Sequence, residues 1–262
     1  FKGQAGQSHF SLNGRFRNLA SFMLLPGKPL IVDADLHSRE LHLAPLLTTT
    51  TGQQGQAPDT AATFALPDYL TLDLAFVCEE LNYNRFQARA VNGALLYQGQ
   101  KLRLPDLAFQ AMDGQVNLSG NLTSQPNGNL KARLKGEGQG IRIRELFYQL
   151  KDFGQTVITH DHLAGTLAST VNMEATWNPR LEPLLDKLKV TSDVVVEEGQ
   201  LNQFDPMLKL AGLVNVEELR QVSFQRLKNR IVIEDQQIRI PEMDVQSNAF
   251  NVRFSGTHQF NN

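Results

Sequence analysis

Three features of the 262-residue chain carry residue types that could do chemistry. His160-Asp161-His162 is the densest set of metal-capable side chains. On a strand, His160 and His162 would share a face and offer two imidazoles to one ion. A structural or catalytic zinc site needs a third and fourth ligand at a workable spacing, and the sequence supplies none. A polar loop entering a strand accounts for the triplet. Asp33 and Asp35 also share a strand face and have the spacing of a general acid–base pair. They lie on the wet side of an alternating run, where solvated carboxylates are the expectation. Cys78, the only cysteine, follows an apolar strand and reads as a small inert residue. Ser255-Gly256 lacks the G-x-S-x-G setting of a nucleophile elbow. Glu197-Glu198 reads as a turn before Gly199. No phosphate-binding or dinucleotide glycine loop occurs. No catalytic constellation, metal site or cofactor site is expected, and the chain reads as a non-enzyme.

The elements that would have to position any such group are mostly strands. Leu30, Val32, Ala34 and Leu36 alternate with Ile31, Asp33, Asp35 and His37. Leu70, Leu72, Leu74 and Phe76 repeat the pattern. So do Val116, Leu118 and Leu122, then Leu130, Ala132 and Leu134, and near the end Phe250, Val252 and Phe254. Period two with one apolar and one polar side marks half-buried strands. Asn92-Gly93, Asp113-Gly114, Asn127-Gly128 and Asp235-Gln236 each separate two such runs, which predicts hairpins and a meander. Helical spacing is confined to short segments: Asn18–Leu25, Ile143–Phe153, Arg180–Leu188 and Asp205–Leu219. In the last, Asp205 suits the N-cap and Pro206 the first turn. Thr48–Thr63 lacks both periods and reads as a flexible loop or linker.

Bulk properties narrow the function. Charged residues make up 20% of the chain and the net charge is -2, so there is no basic face for nucleic acid. One cysteine excludes an intrachain disulfide. No run of about 18 apolar residues is present, so no helix should cross a membrane. The chain begins at Phe1 and reads as a piece of a longer protein, with any signal or anchor lying outside it.

Three segments share a plan: Ser8–Leu47, Gly114–Leu150 and His160–Leu210. Each carries a strand with a glycine step, then a longer strand, then a short apolar step into a helix or turn. A fourth opening begins at Asn251. Units of this kind bury by stacking an apolar face that none could bury alone.

The stretch Val190–Phe260 resembles the C-terminal region of the AsmA-like family of Gram-negative envelope proteins. The resemblance is carried by the strand ending at Gly199 and the helix expected after Phe204. It is carried also by Phe224, Leu227, Ile231, Ile233, Asp235, Ile238, Ile240, Pro241, Val245, Ser247, Val252, Ser255 and Gly256. The run Leu30–Leu47 resembles the family's more N-terminal repeats. These are apolar and turn positions, so they identify a scaffold and no catalytic residue.

The resemblance implies a mainly β fold: a long, curved antiparallel sheet of repeated strand units with an apolar concave face and a few short helices. It implies residues 1–47 as one repeat, 48–69 as a linker and 70–262 as the C-terminal β region with capping helices. It implies a periplasmic protein anchored to the inner membrane by a segment outside this chain, with a role in outer-membrane homeostasis. The implied partner is phospholipid or another acyl-chain lipid, held along the face carrying Leu72, Leu74, Phe76, Leu118, Val194, Val196, Ile231 and Ile233. Two alternatives stay open. The same stripes could fill the closed core of a sandwich or barrel, and the module could be an assembly factor for outer-membrane proteins.

Overall fold

The structure is a computed structural model of the full chain. It describes residues 2–5, 7–44, 68–154, 156–180, 182–204, 220–248 and 251–259. The chain is mainly β, with 70% of the described residues in strands, in one sheet that does not close into a barrel. Thirteen strands lie side by side in chain order: β1 (Lys2–Ala5), β2 (Ser8–Phe16), β3 (Leu30–His42), β4 (Leu70–Tyr83), β5 (Phe86–Gln98), β6 (Lys101–Ala111), β7 (Gly114–Ser124), β8 (Leu130–Arg142), β9 (Leu163–Trp177), β10 (Lys189–Asn202), β11 (Gln221–Glu234), β12 (Gln237–Gln246) and β13 (Asn251–Gln259). The resolved pairings are antiparallel except β3–β4, which is parallel and joins Leu30 to Leu70. Two α-helices occur among the described residues, α1 (Leu19–Leu24) and α2 (Ile143–Gln149).

Two compact units divide the chain. The first comprises Phe1–Gln110, Asn117–Lys135 and Met173–Leu188; the second comprises Ala111–Val116, Gly136–Asn172 and Lys189–Asn262. In the first unit the parallel register sets Val32, Ala34 and Leu36 beside Leu72, Leu74 and Phe76. The antiparallel β4–β5 pairing then sets Tyr97, Leu95 and Gly93 beside the same three residues. In the second unit Val190, Val194 and Val196 of β10 pair with Ile233, Asn229 and Leu227 of β11.

Alternation is interrupted on β3, β4 and β5 and on β10 and β11, and these neighbouring strands interrupt together. Ser38 and Leu41 both face the apolar side although three residues apart. Their partners Cys78 and Leu81 do the same, as do Val91 and Ala88. In the second unit Val196 and Gly199 face Leu227 and Phe224, again with a three-residue step on both strands. Two successive outward residues at each step, such as Glu79-Glu80, restore the phase. The step is sharpest where a residue takes a left-handed conformation: Ala90 has φ 50° and Glu198 has φ 51°.

Several sequence expectations need correction. Asn92-Gly93 lies inside β5, and the turn falls at Asn84-Arg85. Gly93 is required there because a Cβ would lie 2.5 Å from the Asp106 carbonyl oxygen of β6. The Asp113-Gly114 hairpin turns one residue earlier, on Met112 and Asp113, both with positive φ, as a two-residue primed turn demands. Asp235-Gln236 turns as expected, and Asn127-Gly128 lies in the connection between β7 and β8. Arg180–Leu188 forms no α-helix: Trp177 and Pro183 make a β-bridge, and only Leu185–Lys187 winds into a 3-10 turn. Proline's missing N–H and its restriction on the preceding residue explain why the leucine stripe fails to become a helix. The expected segments Asn18–Leu25 and Ile143–Phe153 shorten to α1 and α2. The expected helix Asp205–Leu219 lies outside the described residues, as do residues 48–67 of the expected linker.

A left-handed conformation costs a non-glycine residue about 1 kcal/mol or more. Ala90→Gly and Glu198→Gly should therefore each stabilise the protein by about 1 kcal/mol. Gly93→Ala should destabilise it by about 2 kcal/mol or more, through the clash with β6. Denaturant unfolding measures all three.

Candidate functional site

The eight residues expected to line an apolar face fall into separate groups. Leu72, Leu74 and Phe76 occupy one face of β4, with Val32 and Leu36 on one flank and Leu95 and Tyr97 on the other. The parallel register, which no sequence period reveals, assembles this patch. Leu118 lies on β7, three strands away from β4. It precedes by two residues Gly120, whose missing side chain makes room for Leu134 of β8. Val194 and Val196 share one face with Ile231 and Ile233, because Ser192 pairs with Ile231 and Val190 with Ile233. Ile238 extends that second patch, since it pairs with Ile233 on β12.

How these side chains are covered decides what the face can do. The buried apolar residues are mostly small or β-branched: Ala34, Ala88, Ala132, Ala175, Cys78, Val91 and Val222 are among them. Among the described residues no Leu and no Phe is fully buried. Leu and Phe are ordinarily among the most buried residues of a globular protein. Leu72, Leu74, Phe76, Leu118, Val196, Ile231 and Ile233 are all partly exposed, and Val194, at 9%, is the most enclosed of the eight. The apolar face has neighbours within the sheet and incomplete cover above it.

Glycine and aromatic residues finish this surface in the second unit. The Phe224 ring lies over Gly199, where a Cβ would come within 2.2 Å of it. Gly165 of β9 also approaches Gly199, a Cβ on it falling 2.9 Å from the Gly199 Cα. Gly199 thus serves close approach rather than a bend; the unusual backbone angle belongs to Glu198. Glu197-Glu198, read from sequence as a turn, continues within β10.

The opposite face is polar and ion-paired. Asp33 of β3 is held by Arg15 at 3.1 Å and by Arg17, and the Arg17 hydrogen bond keeps its carboxyl below the ordinary range. Asp193 accepts from Arg230 at 2.7 and 3.0 Å across β10–β11, with the same effect. Glu174 accepts from Lys131 at 2.9 Å and from Arg133 at 3.1 Å, and Glu234 accepts from Lys189; these carboxyls also titrate low. Asp33 is thus committed to two guanidinium groups.

The remaining chemistry candidates resolve into structural roles. His160 and His162 lie in a turn before β9, not on a strand. The Nδ1 of His160 sits 3.1 Å from both carboxylate oxygens of Asp152, and its ring meets Tyr148 edge-on at 5.3 Å. The Nδ1 of His162 accepts from the backbone N–H of Thr159 at 3.0 Å, and its ring packs against Phe204. The two imidazoles brace a turn; among the described residues no three His, Cys, Asp or Glu side chains gather to hold a metal. Cys78 is 1% exposed, donates to the Glu80 carbonyl oxygen at 3.0 Å, and burial pushes its thiol up.

Sequence reasoning missed the residues that complete the patches: Leu95 and Tyr97 on β5, and Leu227 on β11. The signal was present as alternation on each side of a phase step. Reading Asn92-Gly93 as a turn broke β5 in two. No protein-family model, curated protein or solved structure matches this chain.

The low-titrating carboxyls set an acid limb. A group whose folded pKa is depressed contributes stability above its unfolded value, about 4 for Asp and Glu, and loses it as pH falls through the folded value. Thermal melts should hold level from neutral pH to about 5 and fall progressively below about 4. An Asp193→Asn, Arg230→Gln double variant should show a shallower acid limb with little change at neutral pH, as expected for exposed pairs. An unchanged limb would assign the acid sensitivity to other groups.

Proposed function

We propose that this chain is a non-enzymatic lipid-handling module of a Gram-negative envelope, which holds acyl chains of phospholipids along the apolar face of its sheet. The observation that supports this most directly is the absence of any fully buried Leu or Phe among the described residues of a 13-stranded sheet. A sheet with one apolar face must cover it with helices, another sheet or a ligand. The two short α-helices among the described residues leave Leu72, Leu74, Phe76, Ile231 and Ile233 partly exposed, and an apolar guest suits that surface.

The chemistry suits the guest. The patches around Leu74 and around Ile231 are apolar, with Phe76 and Tyr97 joining the leucines of the first. Each methylene transferred from water to such a surface gains about 0.8 kcal/mol. A guest held by area alone is bound without fixed orientation, which suits passage along a surface. The similarity of Val190–Phe260 to the AsmA-like pattern points the same way, toward a periplasmic module carried by an inner-membrane anchor in a longer protein.

Native mass spectrometry of the protein purified from a bacterial envelope should show co-purified phospholipid, and the purified protein should take up a fluorescent phospholipid. Leu74→Asp and Ile231→Asp place a carboxylate on the two patches and should each weaken uptake by about tenfold or more. Asp193→Asn, on the polar face, should leave uptake unchanged. Absence of both co-purified lipid and uptake by the unaltered protein removes this reading.

A further inference from the structure

We propose that the connection between β2 and β3, centred on α1, docks on the surface of an anionic lipid bilayer. This inference is separate from lipid carriage along the sheet, because it concerns a protruding tip and not the face.

α1 is a six-residue helix that buries none of its own side chains. Helices this short are unstable alone in water and persist through packing of an apolar side. Among the described residues the one ring contact of α1 is Phe22 against Tyr69, at 5.6 Å. Met23, Leu24 and Leu25 are 73%, 79% and 51% exposed, the first two being the most exposed large apolar side chains among the described residues. Leu19 and Phe16 add to the same surface at 44% and 56%. Phe16 pairs with Val32, so the exposed tip is continuous with the apolar face of β2 and β3.

The tip is held, not trailing. The Asn18 side chain donates to the Pro29 carbonyl and accepts from the Ile31 N–H at 2.9 Å, closing residues 18–31 into a compact loop. The Arg17 N–H bonds the Ile31 carbonyl at 3.1 Å at its base. An apolar tip presented on a closed loop costs little ordering entropy when it inserts.

Cations flank it. Arg15 and Arg17 have side chains 77% and 58% exposed. They share the one carboxylate of Asp33, with Asp73 acting weakly on Arg17. Lys28 follows the turn at Gly27, is exposed, and makes no ion pair among the described residues. Apolar side chains beyond a collar of basic residues match the headgroup–acyl boundary, where leucine and phenylalanine insert and lysine and arginine meet lipid phosphates. A protein partner would have to supply a pocket shaped to Met23 and Leu24; a bilayer accepts a protruding tip without one.

Vesicle flotation tests the proposal with the full chain and phosphatidylcholine vesicles, with and without phosphatidylglycerol. The protein should float with the vesicles, more strongly when phosphatidylglycerol is present, and less as salt rises. A Met23→Ser, Leu24→Ser, Leu25→Ser variant should bind about tenfold or more weakly. Its melting temperature should be unchanged, since the three side chains are already in water. Leu74→Asp should float normally, and the triple-serine variant should still take up fluorescent phospholipid, so failure at the tip and failure at the sheet face are read separately. No flotation of the unaltered protein overturns the proposal, as does equal flotation of the triple variant. Concentration-dependent self-association that the triple variant abolishes, without vesicle binding, would make the tip a protein interface and overturn it equally.

Discussion

A strand shows its side chains to two faces in strict alternation, so a long strand can keep its apolar residues on one face only while its sequence keeps phase. Strands of thirteen to fifteen residues, such as β3, β4, β5, β10 and β11, face this constraint over some 40 Å at roughly 3.3 Å per residue. The solution on these five strands is a phase step, placed so that neighbours step together. Ser38–Leu41, Cys78–Leu81 and Ala88–Val91 are in register across three strands. A step on one strand alone would send half of its apolar residues to the polar side, beside the ion pairs. The left-handed backbone at Ala90 and Glu198 is the local cost of keeping the face single-sided.

The same constraint explains the residue sizes. The buried apolar residues are mostly alanine, valine and cysteine, with Tyr97, Met112, Ile141 and Ile143 the larger ones, while leucine and phenylalanine stand partly in the open among the described residues. In a sandwich the second sheet would interleave with those larger side chains and bury them. Among the described residues no second sheet covers the patch around Leu74 or the patch around Ile231. Glycines at 93, 120, 165 and 199 let adjacent strands or rings approach, smoothing the surface without adding a layer. The outcome is a framework rigid in its hydrogen bonding and underfilled on one side, which is the physical basis of the lipid-handling proposal.

The polar face does different work. Its cross-strand pairs, Asp33 with Arg15 and Arg17, Asp193 with Arg230 and Glu174 with Lys131 and Arg133, are exposed and individually weak. Together they fix which side of the sheet meets water. They also absorb the acidic residues that resemble catalytic pairs in the sequence. The histidines before β9 are absorbed in the same way, one by Asp152 and one by a backbone N–H.

Much of this was legible in the residues alone. Alternation in Leu30–Leu36 and Leu70–Phe76 announced strands, and Asp235-Gln236 announced a hairpin. Those signals are local, because alternation and turn chemistry act within a few residues of chain. What the sequence could not determine was set by pairing between strands far apart. The parallel seating of β3 on β4 joins Val32 to Leu72 across forty positions, and no period encodes it. The phase steps hid β5 behind a false turn, since Gly93 looks like a turn residue until Asp106 of β6 is seen against it. The leucine stripe of Arg180–Leu188 promised a helix, and the Trp177–Pro183 bridge forbade it. Sequence period settled which residues are apolar partners within a strand; only the tertiary register decided which strands bring them together, because burial is a property of neighbours and not of the chain.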